Sequence, residues 1–309
     1  MRFWLTAASS LAPEVDYLIL VLLAVSFITL GLVFGLMALF IVRYRAGSGI
    51  DRGQVRQKTW RIETAWTVAT MVAFFGLFLW GADLYVRMFK PPPGALQIYV
   101  VGKQWMWKVE HPGGQREIDT LHVPTERPVQ LIMTSEDVIH DFSIPAFRLK
   151  HDVLPGRYET YWFRADKPGT YHLFCQQYCG ADHSKMVGEV IAMPGPEYER
   201  WLEQAGTSNT LAQEGQVLLM RFGCTGCHGE NSPVHAPSFK GLYGSPVTLN
   251  DGKHMIADDR YIRDCILLPE TERVAGYPPI MPSFSGVISE EDLLKIIAYI
   301  KSLGPERTS

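Results

Sequence analysis

Two stretches of this chain run without a charged residue for long enough to cross a bilayer as helices, and they restrict its possible folds more than any other feature. From Tyr17 to Val42 there is no Asp, Glu, Lys or Arg, with Asp16 and Arg43 as brackets. As an α-helix this stretch would extend roughly 39 Å, at about 1.5 Å per residue. That crosses a bilayer with some tilt. A second uncharged stretch runs from Thr64 to Ala82, between Glu63 and Asp83. One such run could be a buried core helix; two of this length and apolarity predict a transmembrane hairpin, with spans at about 17–42 and 64–86.

The connection at 43–63 carries Arg43, Arg45, Arg52, Arg56, Lys58 and Arg61 against Asp51 and Glu63. A short basic loop stays on the cytoplasmic side. Both termini, and everything after the second span, are therefore expected outside a bacterial cytoplasmic membrane. Residues 1–16 lack the pattern of a cleaved signal peptide, so the first span is expected to direct insertion itself.

The remainder divides by texture. Pro91-Pro92-Pro93-Gly94 ends the second helix. From there to about 195, β-rich runs such as 129–133 and 158–163 alternate with turn signals such as Leu154-Pro155-Gly156 and Lys167-Pro168-Gly169. Short strands with this punctuation predict an antiparallel sandwich or barrel. After Pro194-Gly195-Pro196 the pattern turns helical. Gln204 to Thr210 reads as a small polar linker, and Ser289-Glu290-Glu291-Asp292 caps a last helix with Leu293, Ile296, Ile297, Ile300 and Leu303 on one stripe. The expected domains are an anchor over 1–90, a β-domain over 91–203, and a linker with a helical domain over 204–309. Residues 91–309 hold twenty Lys and Arg against twenty-seven Asp and Glu, which argues against a nucleic-acid partner.

Four of the five cysteines fall in two metal-type motifs; the fifth, Cys265, reads as a buried apolar filler. The first motif is Cys175-Gln176-Gln177-Tyr178-Cys179-Gly180-Ala181-Asp182-His183-Ser184-Lys185-Met186. Thiolate, imidazole and thioether together are a copper ligand set. Cys179, His183 and Met186 alone would serve a mononuclear site completed by His140 from an earlier strand. Cys175 adds a second thiolate four residues away, so the pair can bridge two coppers. A Cys175–Cys179 disulfide or a zinc site are the competing readings, and zinc has little use for the Met186 thioether.

The second motif is Cys224-Thr225-Gly226-Cys227-His228, the attachment sequence of a covalent c-type haem. Cys224 and Cys227 would form the thioethers and His228 the proximal iron ligand. Met281, in Pro278-Pro279-Ile280-Met281-Pro282, is placed as the distal ligand, ahead of His254 and Met255. His235 reads as a surface or haem-pocket residue.

Over residues 15–200 the chain resembles subunit II of haem-copper cytochrome c oxidase. The resemblance is carried by Ile62-Glu63-Thr64-Ala65-Trp66, Gly102-Lys103-Gln104-Trp105-Met106-Trp107, Ser135-Glu136-Asp137-Val138-Ile139-His140, Leu154-Pro155-Gly156-Arg157 and the copper loop. Residues 208–303 resemble a fused class I cytochrome c, as in caa-type oxidases. The resemblance implies a two-helix anchor, a cupredoxin-like Greek-key barrel and an all-α cytochrome domain. It also implies a binuclear copper A centre held by His140, Cys175, the main-chain carbonyl of Gln177, Cys179, His183 and Met186. Many members have Glu at 177, whose carboxylate also serves a magnesium site shared with subunit I; Gln177 removes that carboxylate. Trp105 matches the family's tryptophan for electron uptake, although Trp105 and Trp107 at strand period could both be core. Glu63 matches the acidic mouth of a proton-uptake path, although an acidic residue also suits a helix N-terminus.

The expected function is electron uptake for a respiratory terminal oxidase. Electrons would pass from a cytochrome c or a quinol:cytochrome c oxidoreductase through haem c to copper A, then to haem a in subunit I. Oxygen reduction and proton pumping would occur there. The expected partners are subunit I, other oxidase subunits, the donor and membrane lipid. The alternatives are the copper-A subunit of a nitric oxide reductase and a free-standing membrane electron carrier.

Overall fold

The computed structural model describes residues 6–50, 59–205, 210–229 and 232–304. Asp51, Arg52, Arg56 and Lys58 of the basic connection lie outside the described residues, as does most of the linker expected at 204–210.

The anchor unit, Leu11–Lys90, consists of α1 (Ala12–Arg43) and α2 (Trp60–Phe89). Both helices run past the charge-free stretches. Proline in the first turn of α1 costs no hydrogen bond there. Charges just outside the two spans are paired: Arg87, in the last turn of α2, grips Glu14 in the first turn of α1 with both terminal nitrogens, one of them 2.9 Å from Oε1. Arg87 also meets Asp83 at 3.0 Å. The apolar side chains between these ends stay exposed, as lipid-facing helices require.

Residues 6–10 and 91–304 belong to the second unit. Its β-domain has two five-stranded sheets. One carries β1 (Leu96–Lys103), β2 (Met106–Glu110), β3 (Arg116–Ile118), β5 (Pro128–Ser135) and β8 (Glu159–Arg164), in the order β3-β2-β1-β5-β8. The other carries β4 (Thr120–Pro124), β6 (His140–Ile144), β7 (Leu149–Val153), β9 (Gly169–Cys175) and β10 (Val187–Met193), in the order β4-β10-β9-β6-β7. The result is the half-barrel of a cupredoxin-like domain. It departs from a purely antiparallel reading in one pair per sheet, β1 with β5 and β4 with β10, which run parallel. The cause is topological: the chain crosses to the second sheet at β4 before β5 returns beside β1, and such crossovers deliver parallel neighbours.

Alternating burial packs the two sheets together. Tyr161 and Phe163 of β8 point inward, and Trp107 lies fully buried with its ring edge-on to Phe142 at 4.9 Å between centroids. The N-terminal segment joins this domain, with the Ala8 amide 2.9 Å from the Ala146 carbonyl and Ser9 bridging Ala165.

Helix α3 (Gly195–Gln204) follows β10 and is pinned by a buried polar cluster. Glu117 accepts from His111 at 2.8 Å and from His122, while His111 Nδ1 meets the Tyr198 hydroxyl at 2.9 Å. Trp201 stacks on the His122 ring at 4.3 Å. Burial opposes ionisation of Glu117, but the hydrogen bonds from His111 and His122 outweigh it and hold its carboxyl below the usual range.

The helical domain carries α4 (Leu211–Arg221), α5 (Thr225–His228), a hairpin of β11 (Pro246–Thr248) and β12 (His254–Ile256), α6 (Asp259–Leu267) and α7 (Glu290–Ser302). Thr210 and Gln213 form a reciprocal capping box at α4, and Asp258 and Ser289 cap α6 and α7. Leu293, Ile296, Ile297 and Ile300 are buried as one stripe; Leu303 is the half-buried C-cap. Helices α4 and α7 cross at Gly215, where a β-carbon would lie 1.9 Å from the Lys295 carbonyl oxygen.

Candidate metal centres

The first centre is assembled by strand pairing. β6 lies against β9 in the register Phe142 opposite Cys175. His140, 35 residues upstream, is thereby brought onto the cysteine loop. Its Nε2 lies 2.8 Å from Asp137 Oδ1, which turns Nδ1 toward Cys175 Sγ at 3.9 Å. The two sulfurs are 3.8 Å apart, nearly twice the disulfide bond length of about 2.05 Å. Cys179 Sγ is 3.4 Å from His183 Nδ1 and 3.8 Å from Met186 Sδ, and Cys175 Sγ is 3.3 Å from the Gln177 carbonyl. The nearest ligand atoms of His140, Cys175 and Cys179 fall within 4.8 Å of one another. Two central sulfurs, an imidazole against each, a thioether and a carbonyl form a donor set that fits copper.

The shell around these donors explains their order. Asp137 accepts from His140 and from the Gln104 and Val138 amides; burial works against ionisation, yet these bonds keep its carboxyl low. Burial and the neighbouring Cys175 push the Cys179 thiol up to about 12, so a bound cation would be needed to make it a thiolate at neutrality. Gly102 backs His140 so closely that a β-carbon there would lie 3.0 Å from the imidazole and 3.2 Å from Trp107.

Trp105 and Trp107 do not share a strand face. Trp107 is core, whereas Trp105 precedes β2 in the β1–β2 turn and is half-buried over the copper loop. A β-carbon on Gly180 would meet the Trp105 ring at 3.3 Å, and Gln104 Nε2 donates to the Cys179 carbonyl at 2.7 Å. Strand alternation does not relate the two rings because the turn ends between the two residues.

The second centre lies in the helical domain. Cys224 caps the single turn of α5, with Cys227 and His228 within it. His228 Nδ1 donates to the Pro237 carbonyl at 2.7 Å, leaving Nε2 for a ligand, and Phe239 stacks on the ring at 4.4 Å. Cys224, Cys227, His228 and Met281 line one apolar cleft floored by Ile262, Ile266, Ile296 and Ile300. These residues fit a covalent haem, whose iron His228 and Met281 would hold. His254 and Met255 lie on the β11–β12 hairpin and do not line the cleft, whereas His235 does, stacked on Tyr277 at 4.7 Å. Cys265 is only half-buried and also borders the cleft; burial pushes its thiol up to about 11, so it stays protonated. Glu63 sits exposed in the first turn of α2 and accepts from the Thr59 hydroxyl at 2.6 Å.

Fold and donors together define a membrane-anchored, cupredoxin-like copper domain joined to a c-type cytochrome domain. Comparisons agree with that class. Residues 115–193 match the family model for the periplasmic domain of cytochrome c oxidase subunit II, and residues 212–304 match that for cytochrome c. The cytochrome c oxidase subunit 2 of Alkalihalophilus pseudofirmus is 26% identical over 97% of this chain and 91% of its own. That of Thermostichus vulcanus is 28% identical over 64% and 76%. Among solved structures, the periplasmic domain of subunit II of cytochrome oxidase from Bradyrhizobium japonicum is 31% identical over 38% of this chain and 96% of that one, with a TM-score of 0.36. The chain thus carries a cytochrome c oxidase subunit II periplasmic domain followed by a cytochrome c domain, a fusion that fits the caa type. It is a subunit of an oxidoreductase.

Proposed function

We propose that this chain is the electron-uptake subunit of a terminal oxidase that reduces oxygen in subunit I. When bound, the covalent haem and a binuclear copper A supply the one-electron states of the relay. Electrons come from a cytochrome c or a quinol:cytochrome c oxidoreductase to the domain bearing His228 and Met281, and leave toward haem a of subunit I from the domain bearing His140 and Cys175. The observation that carries this reading is the convergence of His140, Cys175, Cys179, His183 and Met186 around two sulfurs 3.8 Å apart.

The residues divide the work. Asp137 holds His140 with Nδ1 toward the sulfurs. Met186 and the Gln177 carbonyl close the two ends of the cluster. Trp105, over Gly180 at the mouth of the loop, offers an aromatic path to its surface. His228 is oriented by Pro237 and held flat by Phe239. Glu63 opens a proton-uptake path for the partner's proton-pumping oxygen chemistry. Gln177 offers no carboxylate to a shared magnesium ion.

Topology follows the same reading. The N-terminal segment bridges Ala165 of the barrel, so N-terminus and barrel share one side of the membrane, as two spans require. With the basic connection cytoplasmic, that side is the periplasmic one.

The test is to purify the native complex and measure which gas it consumes. Oxygen consumption with retained copper and haem is expected; nitric oxide consumption, or isolation of the chain without a haem-copper subunit, overturns the reading. In the same complex Cys175→Ser is expected to abolish the mixed-valence copper signal, while Glu63→Ala slows proton-linked oxygen reduction and leaves haem-to-copper transfer intact.

A further inference from the structure

The contact between barrel and cytochrome domain is made by charged side chains that neither metal centre uses. Arg263 of α6 is 3% exposed; it donates to the barrel's Gly156 carbonyl, pairs with Glu290 and lies 5.6 Å over the Tyr158 ring. At the end of α7, Lys301 donates to Gln97 at 3.1 Å and to the Tyr99 hydroxyl at 3.0 Å. Between these points the charges alternate across the boundary. Arg116 of β3 pairs with Glu214 of α4, Lys295 lies 3.3 Å from both Glu214 and Glu291, and Glu291 lies 3.5 Å from Lys108 of β2.

A flexible tether alone would not require buried cations matched in this way. Burying Arg263 is costly unless its donors are met, and one of them is met by the barrel's Gly156 carbonyl, so the contacts favour one arrangement over others. The haem cleft is lined by residues other than these contacts. On α7, Ile296 and Ile300 face the cleft. At 3.6 residues per turn they stand about 100–180° around the helix from Glu291, Lys295 and Lys301. One face of α7 thus meets the barrel while another lines the cleft.

We propose that Arg263, Lys301 and the Arg116–Glu214–Lys295–Glu291–Lys108 ladder form a latch that holds the cytochrome domain on the outer face of the β1–β2 sheet, with its haem cleft turned outward to a donor protein. These are positioning residues: they fix where the haem sits relative to the copper loop and touch neither. The latch rests on the reading of both domains as redox-active, because its purpose is to fix their separation.

The test uses the full-length protein with both centres loaded, and reads the haem-to-copper distance by pulsed dipolar electron paramagnetic resonance. The wild type at low ionic strength is expected to show a single sharp distance. Replacing only barrel residues, Tyr99→Phe with Lys108→Gln and Arg116→Gln, leaves the cytochrome sequence untouched. Loss of the sharp distance is expected in this variant, and in wild type at high salt, with copper and haem spectra unchanged. If the variant fails to assemble, Glu214→Gln with Glu291→Gln applies the same test from the other side. A wild-type distance that is already broad, or a sharp one retained in the variants, overturns the latch. Flash-induced haem-to-copper transfer is measured alongside: its absence at a sharp distance refutes the relay and leaves the latch standing.

Discussion

His140 Nε2 lies 2.8 Å from Asp137 Oδ1, so the imidazole presents Nδ1, and not Nε2, to the sulfur cluster. Second partners of this kind fix both the tautomer and the ring orientation of a metal ligand. We predict that Asp137→Asn lowers copper affinity by roughly 10–100-fold. Competition with a chelator measures it; wild-type retention would show that β6 alone orients the ring.

Gly102 predicts a second, purely steric effect on the same histidine. The β-carbon of Gly102→Ala would meet the His140 ring at 3.0 Å. Overpacking of this sort costs about 1–3 kcal/mol. Denaturant unfolding should show that loss together with an altered copper spectrum, since His140 must move. An unchanged spectrum would mean that Trp107 yields instead.

The cytochrome domain depends on one close helix crossing. In Gly215→Ala the β-carbon would fall 1.9 Å from the Lys295 carbonyl oxygen, and backbone cannot yield as a side-chain tip can. We predict a loss of about 3 kcal/mol or more in this domain, at the severe end of point mutations. Haem incorporation and thermal unfolding followed in the haem absorption report it, while the copper signal should persist.

The cluster around Glu117 predicts acid sensitivity in the segment that leads to the cytochrome domain. Its carboxyl titrates below the ordinary value of 4.5 in the folded protein. A lowered carboxylate pKa contributes stability that is present above 4.5 and is lost as pH falls through the folded value. Trp201, stacked on His122, should report release of α3 by a fluorescence change in that acid window. Glu117→Gln should lose about 1–3 kcal/mol at neutral pH, because buried His111 keeps no ionised acceptor. It should also flatten the acid transition; an unaltered transition would assign it to other carboxylates.

Much of the candidate site was legible because its donor residues are close in sequence. Cys175 to Met186 and Cys224 to His228 are single loops, and their spacing restricts the metal whatever surrounds them. Met281 was singled out from its proline loop ahead of a capped helix, and the fold sets it on the same cleft as His228. Trp105 and Trp107 were not separable, because alternation along a strand says nothing about where a turn ends. Asp137, Gly102 and the His111–Glu117–His122 cluster were illegible as functional supports. Each acts on a partner from another strand or helix, and nothing local in the sequence marks that meeting.

The sequence by itself determined what depends on neighbours along the chain: two membrane-length apolar helices, the identities and spacing of the candidate metal donors, and the caps of the last helices. Hydrophobic length and ligand chemistry are local properties and need no fold to be read. Only the tertiary structure decided which atom of His140 faces the sulfurs, that Trp105 lies over Gly180, that Arg87 closes on Glu14, and that Arg263 and Lys301 bind the cytochrome domain to the barrel. Those outcomes depend on strand register and on the burial of charges against distant partners, which arise only when the chain has packed.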